Sequence, residues 1–144
     1  MSDNIIIEVR IIEYATRAAN PHVPYSPAEI TAEALACARE GAAIIHYHAR
    51  DPASGAPATN VALYADTARR IKAASDLIIM PTLGAWQLPS PQARIAHVVE
   101  MACDPATKPE LAPIDIAGSN VDVYDPQARR FKTNDTVYAN STAI

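Results

Sequence analysis

Four short apolar runs, beginning near Ile5, Ala43, Leu77 and Leu111, recur along the chain at intervals of 38, 34 and 34 residues. That rhythm leaves few folds open. It is the spacing of βα units, in which parallel strands are joined by crossover helices. Strands are expected over Ile5–Ile12, Ala43–His48, Leu77–Met80 and Leu111–Ile116. Between them, Ser26-Pro27-Ala28-Glu29 supplies an N-cap, a proline at the first helical position and a capping-box acid. The first helix should run to about Glu40 and stop at Gly41, with Ile30, Ala34 and Cys37 as its core stripe. Asn60 can cap a second helix that ends near Ala74 and turns Tyr64, Ala68 and Ile71 inward. Ser90-Pro91 opens a third, whose Ile95, Val98, Val99 and Ala102 are expected to face the core. Beyond Gly118 the pattern changes, and residues 121–134 suggest a hairpin excursion around Asp125-Pro126-Gln127.

Four such units fit half of a (β/α)8 TIM barrel, an α/β fold that typically needs around 250 residues. A small doubly wound sheet is the alternative, and there too ligands sit at the strands' carboxyl ends. Residues 1–144 read as a single α/β domain in both cases. Both place Glu13, His48, Thr82 and Ser119-Asn120 on one rim.

Within the second strand run Ile44-Ile45-His46-Tyr47-His48-Ala49-Arg50-Asp51. Side chains alternate along a strand, so His46 and His48 share a face while Tyr47 points oppositely. Two imidazoles at a strand's carboxyl end can hold a divalent metal between them. The plain alternative is a pair of histidines that fill a sheet face and bond locally.

Composition narrows the function classes. A chain that is 49% hydrophobic and 19% charged is not a disordered one. Its net charge of -4 leaves no basic footprint for nucleic acid or for an anionic membrane. Cys37 and Cys103 match no metal-ligand spacing and are expected to be reduced, buried thiols. With no signal-like N-terminus and no apolar run of membrane-spanning length, a soluble cytoplasmic protein is expected.

Asn20-Pro21-His22-Val23-Pro24, Ser26-Pro27-x-Glu29-Ile30 and Gly41-Ala42-Ala43-Ile44-Ile45-His46-x-His48-Ala49-Arg50-Asp51-Pro52 together form an ordered set. Ser54-Gly55-x-Pro57, Leu63-Tyr64, Lys108-Pro109-Glu110 and Gly118-Ser119-x-Val121 extend it. The set resembles the N-terminal half of the β-keto acid cleavage enzymes, whose best-known activity is 3-keto-5-aminohexanoate cleavage. The resemblance implies a TIM barrel with a divalent metal, normally zinc, held by His46 and His48. It further implies condensation of a β-keto acid with acetyl-CoA, giving acetoacetate and a new acyl-CoA. Thr82 takes the family's Ser/Thr position after the third strand, where a hydroxyl helps bind substrate. The family's Thr-Thr-Gly-Gly is here Thr82-Leu83-Gly84-Ala85, and Pro113 stands at a usual Ser/Thr position on the fourth strand. The family's glutamate ligand and further acidic and arginine residues belong to later strands.

Beside the metal ligands His46 and His48, Glu13 is a candidate to bind a substrate amine or orient a metal-bound water, against a solvated loop carboxylate. Arg50 is a candidate for a substrate carboxylate, while Asp51 reads as its structural ion-pair partner. Thr82 and Gly84 are candidate pocket residues, and Ser119 and Asn120 candidate donors to a phosphate or carboxylate. His22 reads as a packing or hydrogen-bonding group, His97 as exposed on its helix, and Trp86 as a lid. Half a barrel exposes strand edges, so a homo-oligomer or a C-terminal half barrel is expected to complete it. Two other functions stay open: a catalytically incomplete remnant or interaction domain, and another metal-dependent barrel enzyme such as a hydrolase.

Overall fold

The computed structural model describes residues 4–13, 15–84, 88, 90–114, 119–120, 122–133 and 137–138. Three parallel strands, β1 (Glu8–Ile11), β2 (Ile44–Tyr47) and β3 (Ile78–Pro81), form one sheet in the order β1-β2-β3. Helices α1 (Pro27–Arg39) and α2 (Val61–Ala74) make the crossovers, and α3 (Pro91–Met101) follows β3. Each helix packs on the next, α1 on α2 and α2 on α3, as a single layer. Sequential strand order with neighbouring helices in contact is compatible with part of a TIM-barrel-like fold.

The caps explain where the helices begin. Ser26 accepts from the Glu29 amide while the Glu29 carboxylate accepts back from the Ser26 amide. That reciprocal pairing, with Arg17 2.7 Å away, holds the Glu29 carboxyl down at about 2. Asn60 and Ser90 cap α2 and α3 through their side-chain oxygens.

Register is fixed by burial. His46 pairs with Arg10 on one side and Met80 on the other, while Ile45 pairs with Val9 and Ile79. The alternate residues Ile45, Tyr47 and Ile79 are fully buried and join Ile30, Ala34, Tyr64, Ala68 and Ile71 of the helices in one core. The Tyr47 hydroxyl crosses that layer to donate to the Tyr64 carbonyl at 2.9 Å.

Several expectations need correction. The fourth strand does not form over residues 111–114, and 115–116 lie outside the described residues. The Glu110 and Leu111 amides both donate to the Ile79 carbonyl, and the Glu110 carboxylate accepts from the Ile79 amide. A side chain thus takes the place of a ladder bond, and Pro113 has no amide to continue it. The first strand is shorter than expected, because Ile5 and Ile6 are largely exposed ahead of it. Cys37 is only half-buried and Cys103 is exposed, although both are free thiols.

Helix α3 is rotated from its expected face. Arg94, His97 and Met101 are buried, whereas Ile95 and Val99 are exposed. The physical reason lies in the β3–α3 loop, whose carbonyls at Thr82 and Gly84 take donors from this helix face.

Farther along, β4 (Ser119–Asn120) pairs antiparallel with β7 (Val137–Tyr138), enclosing a hairpin of β5 (Tyr124–Asp125) and β6 (Arg130–Phe131). Tyr124 meets Phe131 edge to face across that hairpin. Among the described residues no helix is long and apolar enough to cross a membrane.

Candidate metal centre

Because Tyr47 is held on the helix side, its neighbours His46 and His48 project together from the other face. Their Nε2 atoms stand 3.1 Å apart, with the rings nearly perpendicular. His46 is buried and His48 half-buried. Burial, then the Arg10 charge, lowers the His46 pKa; burial, then His46 itself, pushes His48 down to about 4. Both rings are therefore neutral near pH 7, as metal ligands must be.

Two nitrogens each about 2.05 Å from a tetrahedral zinc ion stand roughly 3.3 Å apart. The observed spacing, at which one Nε2 donates a hydrogen bond to the other, is close to that. The pair fits two of a divalent cation's ligands. Among the described residues no group of three or more His, Cys, Asp or Glu surrounds it, so the pair alone is not a complete site.

Glu13 stands at the end of β1. Its exposed carboxylate pairs with Arg10 at 3.2 Å, and its negative charge acts on both imidazoles. The residue before it, Ile12, has φ 57°, a left-handed conformation that a β-branched side chain rarely adopts. Here the chain turns so that the Glu13 carbonyl accepts from Arg50 Nη2 at 2.6 Å.

Arg50 is not a free substrate anchor. It is buried, and its other terminal nitrogen donates to the Gly55 carbonyl at 2.9 Å. It ties the β1 loop to the β2 loop through two carbonyls. Nor does Asp51 pair with it: the exposed Asp51 carboxylate accepts from the Ala53 and Ser54 amides and the Ser54 hydroxyl, closing a turn. Gly55, at φ +72°, lies so close to Tyr25 that an added Cβ would overlap its ring.

Thr82 extends the β3 register, its amide donating to the Tyr47 carbonyl at 3.0 Å. That places it beside His48 and, by alternation, on the imidazole face. Its hydroxyl donates to the Leu83 carbonyl at 3.2 Å. Gly84 is buried, with its amide on the Arg94 carbonyl and its carbonyl on Arg94 Nε, so its backbone is engaged by α3 and not offered to a ligand. Ser119 and Asn120 are placed only as backbone, in β4. Trp86 lies outside the described residues. His22 is exposed, and its amide donates to the Asn20 side chain.

The sequence reading missed His97. It is buried, stacks on Tyr64 at 4.4 Å and bonds the Thr82 carbonyl through Nε2 at 2.7 Å. Burial lowers its pKa, so the ring is neutral and Nε2–H donates to that carbonyl. The three-residue spacing of Arg94 and His97, one face of a helix, was the available signal.

The family model described as beta-keto acid cleavage enzyme matches residues 4–144. A 3,5-dioxohexanoate:acetyl-CoA acetone transferase from Paraburkholderia graminis is 38% identical over 117 residues, covering 81% of this chain and 36% of that protein. A 3-dehydrocarnitine:acetyl-CoA trimethylamine transferase from Rhizobium meliloti is 42% identical over 64 residues, covering 44% of this chain and 21% of that protein. The matched part of the chain therefore spans well under half the length of these curated relatives.

Proposed function

The chain belongs to the beta-keto acid cleavage enzyme family, and on that premise we propose that it exchanges acyl groups between a β-keto acid and acetyl-CoA, releasing acetoacetate. The observation that carries this reading is the pair of Nε2 atoms 3.1 Å apart at the carboxyl end of β2. His46 and His48 would hold a divalent cation, zinc by the chemistry of imidazole ligands. When bound, that cation supplies Lewis acidity toward the β-keto oxygen, where negative charge develops during carbon–carbon cleavage.

The chain's own residues do the rest. Glu13 sets a carboxylate beside both imidazoles, suited to a cationic substrate group or to holding a proton. Thr82 presents its hydroxyl at the same rim. Arg50 ties the two loops that carry Glu13 and the histidines, and keeps them at a fixed separation. The remaining ligands come from further strands, with the three βα units forming part of a (β/α)8 barrel. A C-terminal half barrel or a second copy would supply them. The acyl group is set by loops from those strands as well as from these.

The test is direct. The purified protein, in its full natural length, is assayed for zinc and for acetoacetate formed from acetyl-CoA with a panel of β-keto acids. We expect near-stoichiometric zinc, lost in His46→Ala together with activity. Zinc retained by that variant, or β-keto acid cleaved without acetyl-CoA, would overturn the assignment; the latter would point to a hydrolase.

A further inference from the structure

The segment Thr82–Gly84 carries the hydroxyl that β3 brings to the imidazole face. Among the described residues, its hydroxyl bonds the next carbonyl, Leu83 at 3.2 Å. The fixing groups lie on β2, whose Tyr47 carbonyl takes the Thr82 amide at 3.0 Å, and on α3. His97 Nε2 meets the Thr82 carbonyl at 2.7 Å, Arg94 Nε meets the Gly84 carbonyl at 3.1 Å, and the Arg94 carbonyl receives the Gly84 amide at 2.6 Å. The packing around Gly84 is tight as well, since a Cβ there would stand 2.9 Å from the Arg94 Cα.

His97 is itself held from behind. Its ring stacks on Tyr64 at 4.4 Å, and the Tyr64 carbonyl accepts the Tyr47 hydroxyl at 2.9 Å. Tyr47 lies between His46 and His48 in β2. A continuous path of contacts thus runs from the His-x-His strand, through α2 and α3, to the Thr82 carbonyl. Turning a polar face of α3 inward while Ile95 and Val99 stay exposed is costly unless those polar groups are needed where they are.

We propose that His97 is a positioning residue: by donating to the Thr82 carbonyl, with Arg94 fixing Gly84, it sets the Thr82 hydroxyl at the mouth where substrate binds. The proposal rests on the reading of Thr82 as a substrate-contacting residue, but the clamp can be tested separately.

The experiment compares His97→Phe, which keeps a ring against Tyr64 but cannot donate, with His97→Gln and His97→Asn in the full-length protein. The glutamine amide reaches about as far as Nε2, and the asparagine amide does not. Amide hydrogen exchange at Thr82 and Gly84 should quicken about 10-fold or more in His97→Phe and His97→Asn, and stay near wild type in His97→Gln. With a reactive β-keto acid, kcat should fall about 10- to 100-fold in the same two variants while KM changes little. Recovery in the glutamine variant separates positioning from mere packing, and the Gln/Asn pair carries the test if the phenylalanine variant does not fold. Unchanged exchange in His97→Asn overturns the clamp whatever the activity. Quickened exchange with unchanged kcat and KM overturns the catalytic part. A wild-type protein that forms no acetoacetate but shows this exchange pattern overturns the proposed reaction and leaves the clamp standing.

Discussion

The two faces of the small parallel sheet differ as sharply as any two regions of this molecule. On the helix side, Ile45, Tyr47, Ile79 and Pro81 are sealed from solvent among apolar neighbours. One residue out of phase, Glu8, Arg10, His46 and Met80 line the other side, and His48 and Thr82 continue that row past the strand ends. One face carries the core and the other the candidate site, in strands only four residues long. The division means that a substitution's consequence depends on the parity of its position more than on its distance from the site.

The largest expected effect breaks the helix face. Ile79→Ala should lower unfolding free energy by about 3–4 kcal/mol in a denaturant titration, since the site cannot collapse onto the cavity. Zinc content of whatever remains folded should be unchanged. On the opposite face, His48→Ala should weaken zinc by about 100-fold, measured by competition with a chelator. Its effect on unfolding without metal should stay under about 1 kcal/mol, because the ring is half-exposed. A His48 variant that unfolds like the Ile79 variant would erase the distinction. Tyr47→Phe sits between the two histidines in sequence but on the helix side. It should cost about 1 kcal/mol by removing one hydrogen bond inside the core, with zinc affinity intact.

The smallest effect is one of pH. Burial depresses the His97 pKa, so the folded state holds this imidazole neutral while the unfolded chain protonates it near 6.5. The unfolded state then binds more protons below that value, and stability present above pH 6.5 falls as the pH drops. His46 and His48 act in the same direction, so the comparison is with His97→Phe. Between pH 6.5 and 5 the wild type should lose stability more steeply, by at most one proton's slope, about 1.4 kcal/mol per pH unit. Equal slopes would show that the ring is protonated in the folded chain.

Much of the frame was legible because local rules agreed with the fold. The three βα units followed from spacing and from Ser26, Asn60 and Ser90 as caps. The shared face of His46 and His48 followed from strand parity alone. Where the reading failed, a distant group decided. Ile95, Val98 and Val99 make a plausible apolar stripe, yet Arg94 and His97 face inward because two loop carbonyls require donors there. Arg50-Asp51 looked like an ion pair, but Arg50 went to the Glu13 and Gly55 carbonyls and Asp51 to the Ser54 amide. The fourth strand looked as apolar as the others, and the Glu110 carboxylate took the place of one of its ladder bonds.

By itself, the sequence determined the βα order, the helix starts and the pairing of two imidazoles, because each depends on backbone periodicity and on groups within a few residues. Only the tertiary structure decided which face α3 buries, what Arg50 holds and how Thr82 is fixed. Those outcomes depend on which buried carbonyls and amides must find partners, and the partners lie on other elements of the fold.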